Sequence, residues 1–126
     1  MKRANKYRAV PAEIVHQGKL VKCASKMEAK HLGDLIWRLR AGEIRDLVFH
    51  PRYTLAVNGV KIATYEADAE FMEGGCLVTY EIKGFETPAW KLKEKLFRAL
   101  YRDRELRVNG ERRRDLKRRV AGAGFQ

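Results

Sequence analysis

Asp68 and the tripeptide Glu81-Ile82-Lys83 are the residues of this chain best suited by type and spacing to do chemistry. Gly74-Gly75 stands between them, and paired glycines are well suited to a two-residue hairpin turn. With that turn, Glu73 faces Cys76, Asp68 lies opposite Glu81, and Glu66 lies opposite Lys83. Side chains alternate across a strand, so one face of the hairpin carries Ala67, Ala69 and Phe71 against Ile82, Tyr80 and Val78, and belongs in a core. The other carries Glu66, Asp68 and Glu70 against Lys83, Glu81 and Thr79. Facing residues have Cβ atoms about 5 Å apart, and like charges placed so repel unless a positive charge lies between them. Oxygen ligands at this separation suit a hard divalent cation, Mg2+ or Mn2+. Lys83, two residues beyond Glu81 on the same face, adds an ammonium group. A cation, two carboxylates and an ammonium can together bind a phosphate oxygen, generate hydroxide and stabilise developing negative charge.

The elements that would hold these groups can be read on either side. Ser25-Lys26-Met27-Glu28 fits a capping box, and Leu32, Leu35, Ile36 and Leu39 then recur at helical spacing up to Gly42, which predicts a helix over about 25–41. Segments 44–49, 53–57 and 61–71 are rich in β-formers, with a hairpin signal at Asn58-Gly59, and 76–83 is a further strand. Thr87-Pro88 gives an N-cap followed by proline at the first helical position. Leu92, Leu96, Phe97 and Leu100 extend that helix over about 88–103, and 104–108 reads as a last short strand. The expected fold is mixed α/β, a central sheet flanked by helices, in one domain of 126 residues. Residues 1–24 read as a basic arm with at most a short strand around Val21, and 109–126 as a basic tail.

Charge points to the partner. The formal net charge is +11 and the isoelectric point about 10.0. Residues 1–30 hold eight basic and two acidic groups and residues 98–126 hold ten and four, whereas 31–97 hold nine and ten. Basic flanks around a near-neutral body suit a polyanion, and nucleic acid is the expected one. Lys91, Lys95, Arg98 and Arg102 form one stripe on the second helix, and Arg112, Arg113 and Arg114 form a cluster. The plain alternative is a solvated helix face and a solubilising tail; contact with DNA phosphates is the functional reading. Trp37 and Trp90 read as core, and His16, His31 and His50 show no ligand spacing. Cys23 and Cys76 have no partner motif and are expected to be free thiols. The chain has neither a bilayer-length apolar run nor the apolar stretch of a secretory signal, which sets the expectation of a cytoplasmic protein with no membrane partner.

Asp68 followed by Glu81-Ile82-Lys83 resembles the PD-(D/E)xK nuclease superfamily. More narrowly, Tyr65-Glu66-Ala67-Asp68, then Tyr80-Glu81-Ile82-Lys83-Gly84 and Thr87, is similar to a family of small phage-encoded, resolvase-like endonucleases within it. The resemblance covers about residues 20–100, with Lys26-Met27-Glu28-Ala29 fitting the first-helix motif. It implies a restriction-endonuclease-like core of order α-β-β-β-α. It also implies a cation held by Asp68, Glu81 and the backbone carbonyl of Ile82, a Lys83 that positions the attacking water, and a Glu28 that completes the acidic cluster. For Glu28 a capping role remains equally open. No proline precedes Asp68, and Glu70 is an extra acid on the same face, so Glu66 or Glu70 could share the metal. The expectation is a Mg2+- or Mn2+-dependent endodeoxyribonuclease, with branched DNA and a phage or prophage source implied by the resemblance alone. A homodimer would supply two sites for two symmetric cuts. The competing expectations are a non-catalytic nucleic-acid binder with a nuclease-like fold and a basic partner of an acidic or RNA-containing assembly.

Overall fold

A computed structural model describes residues 12–114 and 116. The elements in chain order are β1 (Ala12–His16), β2 (Lys19–Cys23), α1 (Lys26–Arg40), β3 (Arg45–Phe49), β4 (Arg52–Val57), β5 (Val60–Glu66), β6 (Ala69–Glu73), β7 (Cys76–Glu81), α2 (Pro88–Leu100), β8 (Glu105–Val108) and β9 (Glu111–Arg112). The fold is mixed α/β. A five-stranded sheet runs β3-β6-β7-β8-β9, accompanied by the two-stranded pairs β1-β2 and β4-β5. Only β7 and β8 are parallel, joined through α2, while β3-β6, β6-β7 and β8-β9 are antiparallel. That one parallel step explains the helix between them, since parallel neighbours need a crossover connection.

The diglycine bend forms as the sequence predicts. Gly74 and Gly75 both have positive φ, at 56° and 83°, and Glu73 faces Cys76. The register then runs through Met72 and Leu77, Phe71 and Val78, Glu70 and Thr79, to Ala69 and Tyr80. Asn58-Gly59 closes the β4-β5 hairpin with φ of 50° and 78°, the left-handed pair that a type I′ turn requires.

Segment 61–71 is not one strand. The chain leaves β5 at Glu66, bends at Ala67-Asp68 and enters β6 at Ala69. The Ala67 N–H donates to the Pro51 carbonyl, and the Asp68 N–H to that of Tyr80. Glu66 therefore lies opposite Arg52, not Lys83, and their side chains pair at 3.1 Å. Ala67 turns away from Ala69 and Phe71 and joins a second core.

The sheet is covered on both faces. Leu32 and Leu35 of α1 pack with Ala69, Phe71, Val78, Tyr80, Ile44 and Cys23 on one side. On the other, Trp90 and Phe97 of α2 pack with Tyr53, Leu55 and Tyr65 of the β4-β5 hairpin and with Leu106 and Val108 of β8. Thr79 and Glu81 share the face of Leu106 and Val108 and are buried at 0% and 5% exposure. On the acidic face of the central hairpin Glu81 is thus interior, Asp68 and Glu70 are half-buried and Glu66 is exposed, and burial makes the Glu81 carboxylate electrostatically consequential.

Several local expectations are corrected. The segment read as an arm carries the β1-β2 hairpin, in register from Ala12–Cys23 to His16–Lys19. Residues 111–112, read as tail, form an edge strand on β8. Helix α2 is rotated from its expected face: Trp90, Glu94 and Phe97 are buried, whereas Leu92 is 71% exposed. Trp37 is 68% exposed, lying beneath Arg40. Residues 1–11, 115 and 117–126, which include most of the expected tail and the start of the expected arm, lie outside the described residues. Among the described residues, no helix is long and apolar enough to cross a membrane.

Candidate metal centre

Four segments meet where the central hairpin ends. Glu28 comes from the first turn of α1. The Ser25 hydroxyl caps that helix by accepting the Glu28 N–H at 3.0 Å, and Glu28 Oε1 reaches back to accept the Ala24 N–H at 3.1 Å. One carboxylate oxygen is thereby spent on the helix start. The other, Oε2, points to His50 Nε2 at 3.0 Å. Glu28 therefore serves the cap through one oxygen and faces His50 through the other.

His50 follows β3 with a positive φ of 54°, and its N–H donates to the Asp68 carbonyl at 3.0 Å. Asp68 sits in the bend between β5 and β6, where its Oδ2 accepts the Ile82 N–H at 2.8 Å. The Ile82 contribution visible here is therefore its amide, which fixes the Asp68 carboxylate. A donor oxygen or nitrogen from each of Glu28, His50 and Asp68 falls within 4.8 Å of the others.

Glu81 ends β7. Its Oε1 accepts the buried Tyr65 hydroxyl at 2.6 Å, and its Oε2 lies 3.4 Å from Lys83 Nζ. The Lys83 ammonium also sits 4.6 Å above the Trp90 ring, a cation–π contact that holds the charge without consuming a hydrogen-bond donor.

Burial raises the Asp68 carboxyl to about 6, with the Glu28 charge pushing the same way against the Ile82 amide, His50 and Lys83. Burial likewise raises Glu81 to about 7, reinforced by the Asp68 charge and opposed by Tyr65 and Lys83. Glu81 thus feels the Asp68 charge, although the β6-β7 register stops at Ala69 and Tyr80 and leaves Asp68 in the bend instead of paired with Glu81. Three carboxylates face one ammonium and one imidazole. Ionising all three leaves an excess of negative charge in a largely buried place, which is costly without a cation. The groups that converge are the Glu28 and Asp68 carboxylates with the His50 imidazole, a set whose chemistry could hold a divalent cation, and Glu81 is not part of that group.

Lys83 lies past the last residue of β7, yet its backbone is held. The Asn109 side chain accepts the Lys83 N–H at 2.9 Å and donates to the Lys83 carbonyl at 2.8 Å, while the Asn109 N–H donates to the Glu81 carbonyl at 2.8 Å. One asparagine with φ 53° replaces a strand partner for two residues. The local signal in the sequence for this role is asparagine's tolerance of the left-handed region. Tyr65 and His50 were also missed. Their roles depend on tertiary contacts of 16 and 22 residues' separation, which no local pattern carries.

The remaining sequence-predicted residues divide. Glu66 pairs with Arg52, and Glu70 accepts hydrogen bonds from Tyr53 at 2.7 Å and Arg104 at 3.0 Å. Neither is brought to the Asp68 cluster. Lys91, Lys95 and Arg102 are exposed on or just beyond α2, and Arg112 and Arg114 are exposed beyond β8. Arg98 and Arg113 turn inward instead. Arg98 bridges to buried Glu94 at 3.1 Å, and Arg113 reaches Glu86 at 2.5 Å and Glu94 at 3.7 Å. Arg98, Arg102, Arg112 and Arg113 line a common cavity of about 100 Å³ beside Arg104 and Glu105. The helix stripe and the arginine cluster, separate in sequence, meet there.

No curated protein and no solved structure matches this chain. A family model described as a protein of unknown function, DUF1064, matches residues 4–114, and the chain belongs to that family.

Proposed function

We propose that this chain is a divalent-metal-dependent endonuclease that hydrolyses DNA phosphodiester bonds, on a restriction-endonuclease-like core of the PD-(D/E)xK type. The observation that carries the reading is buried Glu81, raised in part by the charge of half-buried Asp68, beside the Lys83 ammonium 3.4 Å from Glu81. Structural ion pairs place opposite charges together; here like charges are gathered and desolvated, an arrangement that favours binding a cation.

In this reading Asp68 and Glu81 hold Mg2+ or Mn2+, with Ile82 supplying a backbone carbonyl and Glu28 a further carboxylate. The bound cation would polarise a phosphate oxygen and lower the pKa of a coordinated water. Lys83 offsets charge on the phosphate as water adds to phosphorus and one P–O bond breaks, leaving a phosphomonoester and a hydroxyl. Trp90 beneath the ammonium and Asn109 behind its backbone restrict where that charge can go. Lys91, Lys95 and Arg102, exposed on the α2 side, are the groups available to phosphates away from the cut. A preference for branched DNA rests on the sequence resemblance.

Incubating the purified chain with supercoiled plasmid and with a four-way junction, in Mg2+, Mn2+ or chelator, tests the proposal. Metal-dependent cleavage lost in Asp68→Asn and in Lys83→Ala is expected. Failure of the wild type to cut either substrate, or cutting undiminished in those variants, overturns it.

A further inference from the structure

Around Asp68 lies a donor set of different chemistry. Glu28 Oε2 and His50 Nε2 are 3.0 Å apart, and a donor of Asp68 lies within 4.8 Å of both. A first-row cation bound at about 2.1 Å to each donor separates them by roughly 3–4.3 Å. Closing this set on one ion therefore takes only a small rotation of one carboxylate. The two carboxylates are already oriented, since Glu28 Oε1 is held by the Ala24 N–H and Asp68 Oδ2 by the Ile82 N–H. The His50 backbone is tied to that of Asp68 by its own N–H. The Cys23 thiol is close enough to feel both acids, yet it is not part of the group that converges, and its Sγ is directed to the Val21 carbonyl.

We propose that Glu28, His50 and Asp68 form a cation position selective for borderline transition-metal ions such as Co2+, Ni2+ or Zn2+ over Mg2+, with His50 as the residue that sets the selectivity. Magnesium favours an all-oxygen octahedral shell and keeps much of its water, whereas imidazole nitrogen suits the later divalent metals. Two carboxylates match the charge of a divalent ion, and one imidazole shifts the preference. Asp68 is common to this position and to the one proposed with Glu81, so the inference deepens the nuclease reading. Its test measures binding and does not require cleavage.

The metal-free full chain would be titrated with Co2+, following the ligand-field absorption bands, and with Co2+ and Mg2+ by calorimetry. The companion variant is His50→Asn, because asparagine tolerates a φ of 54° and keeps the backbone N–H. Expected are Co2+ bands that change in the variant, and a wild-type preference for Co2+ over Mg2+ that shrinks at least about tenfold when the nitrogen ligand is lost. As a measurement on the wild type alone, the His50 Nε2 resonance should shift on adding Zn2+ and stay in place with Mg2+. Equal Co2+ to Mg2+ ratios in wild type and variant, or an unmoved His50 resonance, would mean a His50–Glu28 ion pair only and would overturn the proposal. Cleavage of DNA without this selectivity removes the present inference alone. Selective binding without any cleavage removes the nuclease reading and leaves this one standing.

Discussion

Glu81 and Asp68 are acids held in their neutral range by burial, which gives them an opposite effect on stability from that of most surface carboxylates. Their pKa values stand near 7 and 6 in the fold, against ordinary values of 4.5 and 3.8. Between about pH 4 and pH 7 the folded chain therefore binds more protons than the unfolded one, so metal-free stability from these groups falls as pH rises through that window. Thermal melts in chelator should show a midpoint declining over that range. Added Mn2+ should raise the midpoint more at about pH 8 than at about pH 5, because the cation binds the ionised pair. A midpoint unaffected by metal at alkaline pH would argue against the site. In Asp68→Asn a neutral amide can still accept the Ile82 N–H, so this variant should melt no lower than wild type in chelator at pH 8 while losing cleavage. Tyr65→Phe isolates the next contact. The Tyr65 hydroxyl favours ionised Glu81, and removing one charge-assisted hydrogen bond costs about 1–3 kcal/mol. The acidic limb of the cleavage–pH profile should then move to higher pH; an unshifted limb with an intact fold would show that Tyr65 does not tune Glu81.

At the scale of elements, the β8-β9 turn holds the segment that carries Lys83. Asn109→Gly keeps the φ of 53° easily accessible while deleting the side-chain clasp on Lys83. We expect this variant to fold and to bind DNA like wild type, with the rate of cleavage reduced about tenfold, equivalent to one hydrogen bond of about 1.4 kcal/mol. A rate equal to wild type would show that Lys83 needs no clasp. Much of this level was legible in the sequence. Helix α1 with its Ser25 cap, the Asn58-Gly59 and Gly74-Gly75 hairpins, and the Thr87-Pro88 start of α2 all follow from turn and cap chemistry that acts within four residues. What escaped depends on distance in sequence. The bend at Ala67-Asp68 arises because β5 pairs with β4 and β6 with β7, and a β-rich segment does not reveal that it changes partner. The rotation of α2 had the same origin. Leu92 and Leu100 fit a helical period, but the aromatic Trp90 and Phe97 fill the space between the sheet and the β4-β5 hairpin. The diglycine register is local and was legible as far as Ala69 and Tyr80, whereas the contacts of His50 with Glu28 and of Tyr65 with Glu81 were not.

Over the whole molecule the +11 charge is not uniformly available to a partner. Lys91, Lys95 and Arg102 are exposed, whereas Arg98 and Arg113 compensate Glu94 and Glu86. The two groups should behave differently when removed. Alanine at Lys91, Lys95 and Arg102 together should leave the melting midpoint nearly unchanged and flatten the salt dependence of DNA binding by about 0.9 per lost phosphate contact. Arg98→Ala should lower stability by roughly 1–2 kcal/mol, since it leaves buried Glu94 with only the more distant Arg113 at 3.7 Å, and denaturant unfolding reads this directly. If the triple variant keeps the wild-type salt slope, that face is solvated surface and the DNA path lies elsewhere. The central claim is that two desolvated acids and an ammonium group exist to hold a divalent ion. Its most direct test is anomalous diffraction from crystals of the full chain soaked in Mn2+. The account predicts a peak bound by both Asp68 and Glu81 at about 2.2 Å, adjacent to Lys83. Well-ordered Asp68 and Glu81 carboxylates with no peak between them would contradict it.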